Sequence, residues 1–240
     1  MLDAIRDYLV SYAQQGVIHN ADRMLTLCEP RPGATLLDLG CGDGTFTARV
    51  SQKVGAAKSI GIDAVSENLA AARAKGIVGI EADLNWVLPL PDESVDVVIA
   101  SHVIEHINDT DMFVKEIYRV LRGGGYAIVA TPNLAAWYNV LFLMLGQQPP
   151  STCVSDVAPL GLMARGVWAG RYTGGIGHQG SNNHRRVFVR STLVGLLQYY
   201  GFHCEKVAVS GFPPLPWFAA DLACRLLPMY AWNLMVRARK

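Results

Sequence analysis

The chain of 240 residues predicts an α/β fold: a mostly parallel, seven-stranded sheet with helices on both faces and a helical and loop cap inserted late in the chain. Three observations carry this expectation. From residue 34 onward, short β-branched runs alternate with helical patterns, the rhythm of successive βαβ units. Runs such as DVVIA at 96–100 are almost unbroken in apolar residues, as suits strands covered on both sides. Phe113, Ile117, Val120 and Leu121 fall at i, i+4, i+7 and i+8, which is one face of a helix.

Taken in order, the N-terminal MLDAIRDYLVSY reads as an amphipathic helix, with acids among its apolar residues. ATLLDLG at 34–40 is the first strand, followed by a helix near 45–53, the strand KSIGID at 58–63 and a helix near 66–75. The strands IVGIEAD (77–83) and VDVVIAS (95–101) come next, then a helix over 109–121 that Gly123–Gly125 are expected to end before the strand YAIVATP (126–132). Beyond Pro132 the rhythm changes to an apolar helix within 134–146, a segment rich in Gly and Pro up to about residue 183, and a helix in RSTLVGLLQYYGF ending at Gly201. HCEKVAVSG and AWNLMVRARK supply two last strands, expected to pair antiparallel at the sheet edge.

Composition narrows the function classes. Lys and Arg number 21 against 20 Asp and Glu, for a net charge of +1, so no bulk electrostatic attraction to nucleic acid is expected. The 5 cysteines (Cys28, Cys41, Cys153, Cys204, Cys224) form no Cys-x-x-Cys pair, which suits free thiols in a reducing compartment and a cytoplasmic location. The start lacks the basic n-region of a signal peptide. The most apolar run, Leu134–Gly146, falls short of the ~20 residues a spanning helix needs. A tail rich in Trp, Pro and Leu leaves contact with a membrane surface or a lipid-like substrate open beside a plain buried cap.

The first strand ends in LLDLGCGDGTFT, with Asp38 followed by Gly40, Gly42 and Gly44. Glycines there let the backbone turn sharply and let a ligand lie against the main chain. A dinucleotide fingerprint wants glycine at the sixth position counted from Gly40, where this chain has Thr45. Asp38, an acid just before the loop, suits an ammonium group better than a pyrophosphate. At this point the chain resembles the class I S-adenosylmethionine-dependent methyltransferases, in their small-molecule (type 11-like) branch and with their Rossmann-like fold. Further stretches agree in order: IGIDAVSENL, EADLNWVLPLPDESVDVVIAS, SHVIEHI and EIYRVLRGGGYAIVATPN, so that the likeness covers roughly residues 34–133.

The resemblance implies S-adenosyl-L-methionine as cofactor, held by Asp38, Gly40, Cys41, Gly42, Gly44, Asp63, Ala64, Asp83, Leu84, Ser101 and His102. Asp63 is expected to accept from both ribose hydroxyls, since a carboxylate offers two oxygens to a vicinal diol. Asp83 is implied to accept from the adenine amino group, with the Leu84 amide meeting a ring nitrogen. The backbone around Ser101 and His102 is implied to contact the methionine part. Against these roles, Asp38, Asp63 and Asp83 each also fit as caps of turns at strand ends.

His102, Glu105 and His106 form His-x-x-Glu-His, the spacing of inverted zinc proteases. No long zinc-binding helix or separate acidic ligand accompanies it. Some related methyltransferases bind a divalent ion through Glu-x-x-Glu-His; here His102 replaces the first Glu, which suits a hard ion less well, and no metal is expected. A hydroxyl acceptor needs a base near the methyl, and the candidates are His102, His106 and His184, because histidine matches neutral pH. His184 precedes Arg185 and Arg186, which either order the cap, bind an anionic group of the substrate, or form a solvated basic turn.

The expected organisation is a single domain: residues 1–30 an N-terminal helical segment, 31–133 the cofactor-binding core, 134–190 an acceptor-binding cap, and 191–240 a C-terminal helix with edge strands. The expected activity is methyl transfer to a small molecule, by O-methylation of a sugar-, lipid- or quinone-type intermediate, the acceptor being apolar or lipid-linked. The alternatives are a cofactor-binding partner subunit without catalysis and a nicotinamide-dependent oxidoreductase, the latter disfavoured by Thr45.

Overall fold

The computed structural model describes residues 2–154 and 184–240. Part of the expected cap, residues 155–183, lies outside the described residues. The elements are α1 (Leu2–Leu25), β1 (Thr35–Leu39), α2 (Thr45–Val54), β2 (Lys58–Asp63), α3 (Ser66–Ala74), β3 (Val78–Glu81), β4 (Val95–Ser101), α4 (Thr110–Val120) and β5 (Leu121–Pro132). There follow α5 (Trp137–Met144), α6 (Arg190–Tyr199), β6 (His203–Ser210), α7 (Trp217–Leu226) and β7 (Asn233–Arg239). The seven strands form one sheet in the order β3-β2-β1-β4-β5-β7-β6. β3, β2, β1, β4 and β5 pair in parallel. Lys240 at the end of β7 exchanges backbone hydrogen bonds with Gly124 and Gly125 at the start of β5, so β7 runs antiparallel to it.

One expectation is corrected. Gly123–Gly125 do not separate α4 from the next strand; β5 begins at Leu121, directly after α4, and the glycines lie within it. The reason is close approach, since a Cβ on Gly125 would stand 2.8 Å from the Asp96 carbonyl oxygen. The helix instead ends by its own geometry at Val120, having begun where the Asp109 side chain accepts from the Met112 amide.

The chain divides into two compact units. The first, Met24–Thr131 with Ser191–Ala208 and Met235–Lys240, holds nearly all of the sheet. Its core joins Met24, Leu36, Val50, Val54, Val97, Ile99, Tyr126 and Ile128, each essentially inaccessible to solvent. Burying one such side chain contributes roughly 1.5–3 kcal/mol, which is why these runs read as unbroken apolar strands. At the far end of β7, Arg237 is buried between two acids: its Nη1 lies 2.7 Å from Glu29 Oε1 and its Nε 2.9 Å from Glu205 Oε2. Arg239 pairs with the same two carboxylates.

The second unit comprises α1 up to Arg23, the described part of Pro132–Arg190, and Val209–Leu234. Here Trp217 of α7 is sandwiched between Tyr12, with ring centroids 4.6 Å apart, and His19, at 3.9 Å, both on α1. The Phe212 amide donates to the Tyr12 hydroxyl at 3.0 Å, and burial pushes that phenol up to about 12. Asn133 ties its strand end to the C-terminal segment by donating Nδ2–H to the Met229 and Ala231 carbonyls, each at 2.8 Å. Among the described residues no helix is long and apolar enough to cross a membrane.

Candidate active site

In the first unit, the carboxyl ends of β4, β1, β2 and β3 form one rim. Asp38 on β1 stands level with Gly61 of β2 and Ile99 of β4, and Asp63 of β2 stands level with Glu81 of β3. The chain runs from β1 outward through β2 to β3 and then returns to place β4 on the other side of β1. Crevices open at such a reversal of strand order.

The glycine loop crosses this rim. Gly40, Gly42 and Gly44 have φ of +73°, +53° and +76°, the left-handed region that residues with a Cβ disfavour. A Cβ on Gly40 would stand 2.6 Å from Val103 Cγ2, and one on Gly44 would stand 2.5 Å from Ile77 Cδ1. A Cβ on Gly42 would meet nothing within 4 Å, so this is the open face of the loop. The loop's donors are consumed internally: the Gly40 and Cys41 amides donate to the Ile62 carbonyl, Gly42 to Asp63 Oδ2, Gly44 to the Cys41 carbonyl and Thr45 to Asp43 Oδ1. A phosphate-binding loop keeps such amides turned toward its anion. Here those amides are already engaged within the protein, which agrees with Thr45 in place of a third fingerprint glycine.

Asp38 is 2% exposed, and Thr47 Oγ1 donates to its Oδ2 at 2.6 Å. Burial pushes its carboxyl up to about 7; the Thr47 hydrogen bond opposes the rise and the nearby Asp63 charge adds to it. A buried acid in that state is matched to a cationic ligand, whose charge would hold it ionised. Thr47 is a residue that sequence reasoning missed; its signal was a hydroxyl two positions into the helix that follows the loop.

Asp63 closes the loop from β2. Its Oδ2 accepts from the Gly42 amide at 2.9 Å, and its Oδ1 accepts from the Val65 amide at 2.9 Å and Asn68 Nδ2 at 3.3 Å. Asp63 therefore shapes the loop, and Oδ2 retains a lone pair toward a diol. Ala64 beside it is exposed. Asp83 is exposed and caps its own turn, Oδ1 accepting from the Asn85 amide at 2.9 Å and Asn85 Nδ2 at 2.8 Å, while Leu84 is half-buried. The turn-capping role is thus present for Asp83 whatever else it binds. Burial pushes the Cys41 thiol up to about 12, with the Asp38 and Asp63 charges adding, so it is an unreactive packing group set against Gly61.

The rim continues at β4. Ser101 ends that strand, and His102 follows at φ +56°, with its amide donating to the Ala130 carbonyl at 2.9 Å. Ile104–His106 form a single 3₁₀ turn, so His102, Glu105 and His106 do not share a helix face and the protease reading has no structural counterpart here. His102 Nδ1 stands 3.3 Å from Oε1 of the buried Glu105. His184 belongs to the second unit, where its Nδ1 lies 2.8 Å from the Ser151 carbonyl oxygen; Arg185 and Arg186 beside it are exposed.

The residues on the rim fit S-adenosylmethionine on chemical grounds: an open loop face at Gly42, a buried acid suited to an ammonium at Asp38, and a carboxylate at Asp63 suited to a diol. The chain is similar to known proteins in the same stretch. The family described as a methyltransferase domain matches residues 37–129. A protein of Mycolicibacterium smegmatis named "Probable S-adenosylmethionine-dependent methyltransferase" is 44% identical over 105 residues, covering 42% of this chain and 39% of that protein. The mitochondrial ubiquinone biosynthesis O-methyltransferase of Rattus norvegicus is 32% identical over 142 residues, covering 55% of this chain and 39% of that protein. The chain thus matches about two fifths of the length of these relatives. The crystal structure of an S-adenosylmethionine-dependent methyltransferase from Mesorhizobium loti shares the fold, with a TM-score of 0.61 at 21% identity over 90% of this chain and 96% of that one. Sheet order, glycine loop and domain match agree: residues 37–129 match the methyltransferase-domain family, and the chain has the fold of S-adenosylmethionine-dependent methyltransferases.

Proposed function

We propose that this protein transfers a methyl group from S-adenosylmethionine to a small, apolar acceptor, by O-methylation of a sugar-, lipid- or quinone-type intermediate. The observation that carries the cofactor half is the loop of three left-handed glycines, open at Gly42 and latched by the Asp63 carboxylate. Neighbouring strands lie about 4.8 Å apart, so the rim from β4 to β3 spans roughly 14 Å, room for an adenosyl amino acid laid across it. In this reading Asp38 takes the ammonium, Asp63 the ribose hydroxyls, and Asp83 with the Leu84 amide the adenine edge. The Gly40, Cys41, Gly42 and Gly44 backbone, Ala64, Ser101 and His102 frame the ligand.

The bound cofactor supplies a methyl on a sulfonium, already activated for in-line displacement. What the chain must add is alignment, exclusion of water and a place for the acceptor's proton. His102, His106 and His184 are proposed for that proton, and residues 134–190 for acceptor binding within a single domain whose core is 31–133. Support for an oxygen acceptor comes from the similarity to the rat ubiquinone biosynthesis O-methyltransferase. Support for an apolar acceptor, or for contact with a membrane surface, comes from exposed side chains in the second unit: Leu141, Leu143 and Met144 on α5, and Phe218, Leu222 and Leu226 on α7. A cytoplasmic setting is part of the same proposal. Calorimetric titration with S-adenosylmethionine tests it: one-to-one binding is expected, and absence of binding, or preference for NADH, overturns it.

A further inference from the structure

Glu105 has no part in the reading above, and its environment demands one. Its side chain is 1% exposed, and among the described residues neither oxygen accepts a hydrogen bond. A buried carboxylate without a well-aligned hydrogen bond is strongly disfavoured and calls for a reason. Burial by itself pushes its carboxyl up, yet the proximity and charge of His102, its own backbone amide and the charge of His106 together hold it below the ordinary value, so it is ionised. Facing it, His102 adopts a left-handed backbone at φ +56°, uncommon for residues other than glycine, and its amide donates to the Ala130 carbonyl. A strained backbone set against a buried acid, at the carboxyl end of β4, is how a fold aims a ring that must point one way.

We infer that Glu105 is a positioning residue that holds the His102 imidazole with its proton on Nδ1, leaving the lone pair of Nε2 to receive the acceptor's proton. The 3.3 Å from Nδ1 to Oε1 is at ion-pair range and leaves room to tighten when ligands bind. A neutral imidazole carries one N–H, so fixing it on Nδ1 makes Nε2 the only acceptor on the ring. When a hydroxyl proton passes to Nε2, the ring becomes an imidazolium, and the Glu105 carboxylate balances its charge without help from solvent. The use of this device rests on the methyl-transfer reading, but its test does not.

The test is nitrogen-15 NMR of the full chain with labelled histidine, without ligand and at a pH where the His102 ring is neutral. His102→Gln identifies the relevant signals among the six histidines. The expected result is the Nδ1-protonated form in the wild type, and a shift to mainly Nε2-protonated imidazole in Glu105→Leu. A wild-type His102 protonated on Nε2 overturns the inference, as does an unchanged tautomer in Glu105→Leu; the wild-type spectrum decides the matter even where the variant does not fold. Calorimetry with S-adenosylmethionine on the same sample separates the two claims. Binding with an Nε2-protonated His102 removes this inference alone, and an Nδ1-protonated His102 without binding removes the cofactor reading alone.

Discussion

Gly42→Ala separates the strain of the loop from the space its ligand needs. At φ +53° an alanine costs about 1–2 kcal/mol relative to glycine, and no neighbouring atom adds to this because nothing lies within 4 Å of the new Cβ. For a chain of this length that cost lowers Tm by about 2–8 °C. Gly33→Ala is the matched control: its φ is +82°, its Cβ also meets nothing within 4 Å, and it precedes β1 at the opposite end of that strand. Both variants are expected to lose similar stability in thermal unfolding. Only Gly42→Ala should lose S-adenosylmethionine affinity, because its methyl enters the ligand's contact face; forcing in one such group costs about 1–3 kcal/mol, or roughly five- to 150-fold in Kd. Equal affinities for the two variants in calorimetry would refute the placement of the cofactor on this loop.

Other perturbations separate the remaining contacts. Asp38 is raised to about 7 when folded and titrates near 4 when unfolded, so between those values the folded state holds the extra proton and stability falls as pH rises. Asp38→Asn should therefore be the stabler protein at pH 8, by up to about 4 kcal/mol in urea unfolding, and should bind the cofactor less well. In the wild type, binding at pH 6 should release close to one proton, measured by calorimetry in buffers of different ionisation enthalpy; Asp38→Asn should release none. Asp63→Asn exchanges one acceptor for a donor among the Gly42, Val65 and Asn68 groups, and about ten- to hundredfold weaker cofactor binding is expected. Arg237→Leu strips a buried partner from Glu29 and Glu205 and should cost about 3–5 kcal/mol in unfolding while leaving cofactor affinity within twofold.

The parallel half of the sheet was legible because buried strands and amphipathic helices write their periods into the sequence. The extents of β1, β2 and β4 follow the apolar runs closely, and α4 ends at Val120, one residue before the last position of the periodic pattern. Gly123–Gly125 misled because glycine marks both a helix stop and a close approach of strands, and only the position of Asp96 shows which applies. In the candidate site, the acids and glycines could be named from their order, but not the work each already does. Asp83 caps its turn, Asp63 latches the Gly42 amide, and the Gly40 and Cys41 amides are spent on the Ile62 carbonyl of β2. The contact between His102 and Glu105 was equally hidden, since the His-x-x-Glu-His spacing suggests a helix that a single 3₁₀ turn replaces. Spacing identifies the materials of a site; backbone conformation decides which atoms remain for a ligand.

Methyl transfer is measured by following the label. The full chain is incubated with S-adenosylmethionine carrying an isotopic methyl and with fractionated cell extract, and products are identified by mass spectrometry. The methyl is expected on an oxygen of a small, apolar molecule, and Asp63→Asn is expected to reduce its transfer. Label that reaches no small molecule in any fraction, while the protein binds the cofactor, would contradict the proposed function.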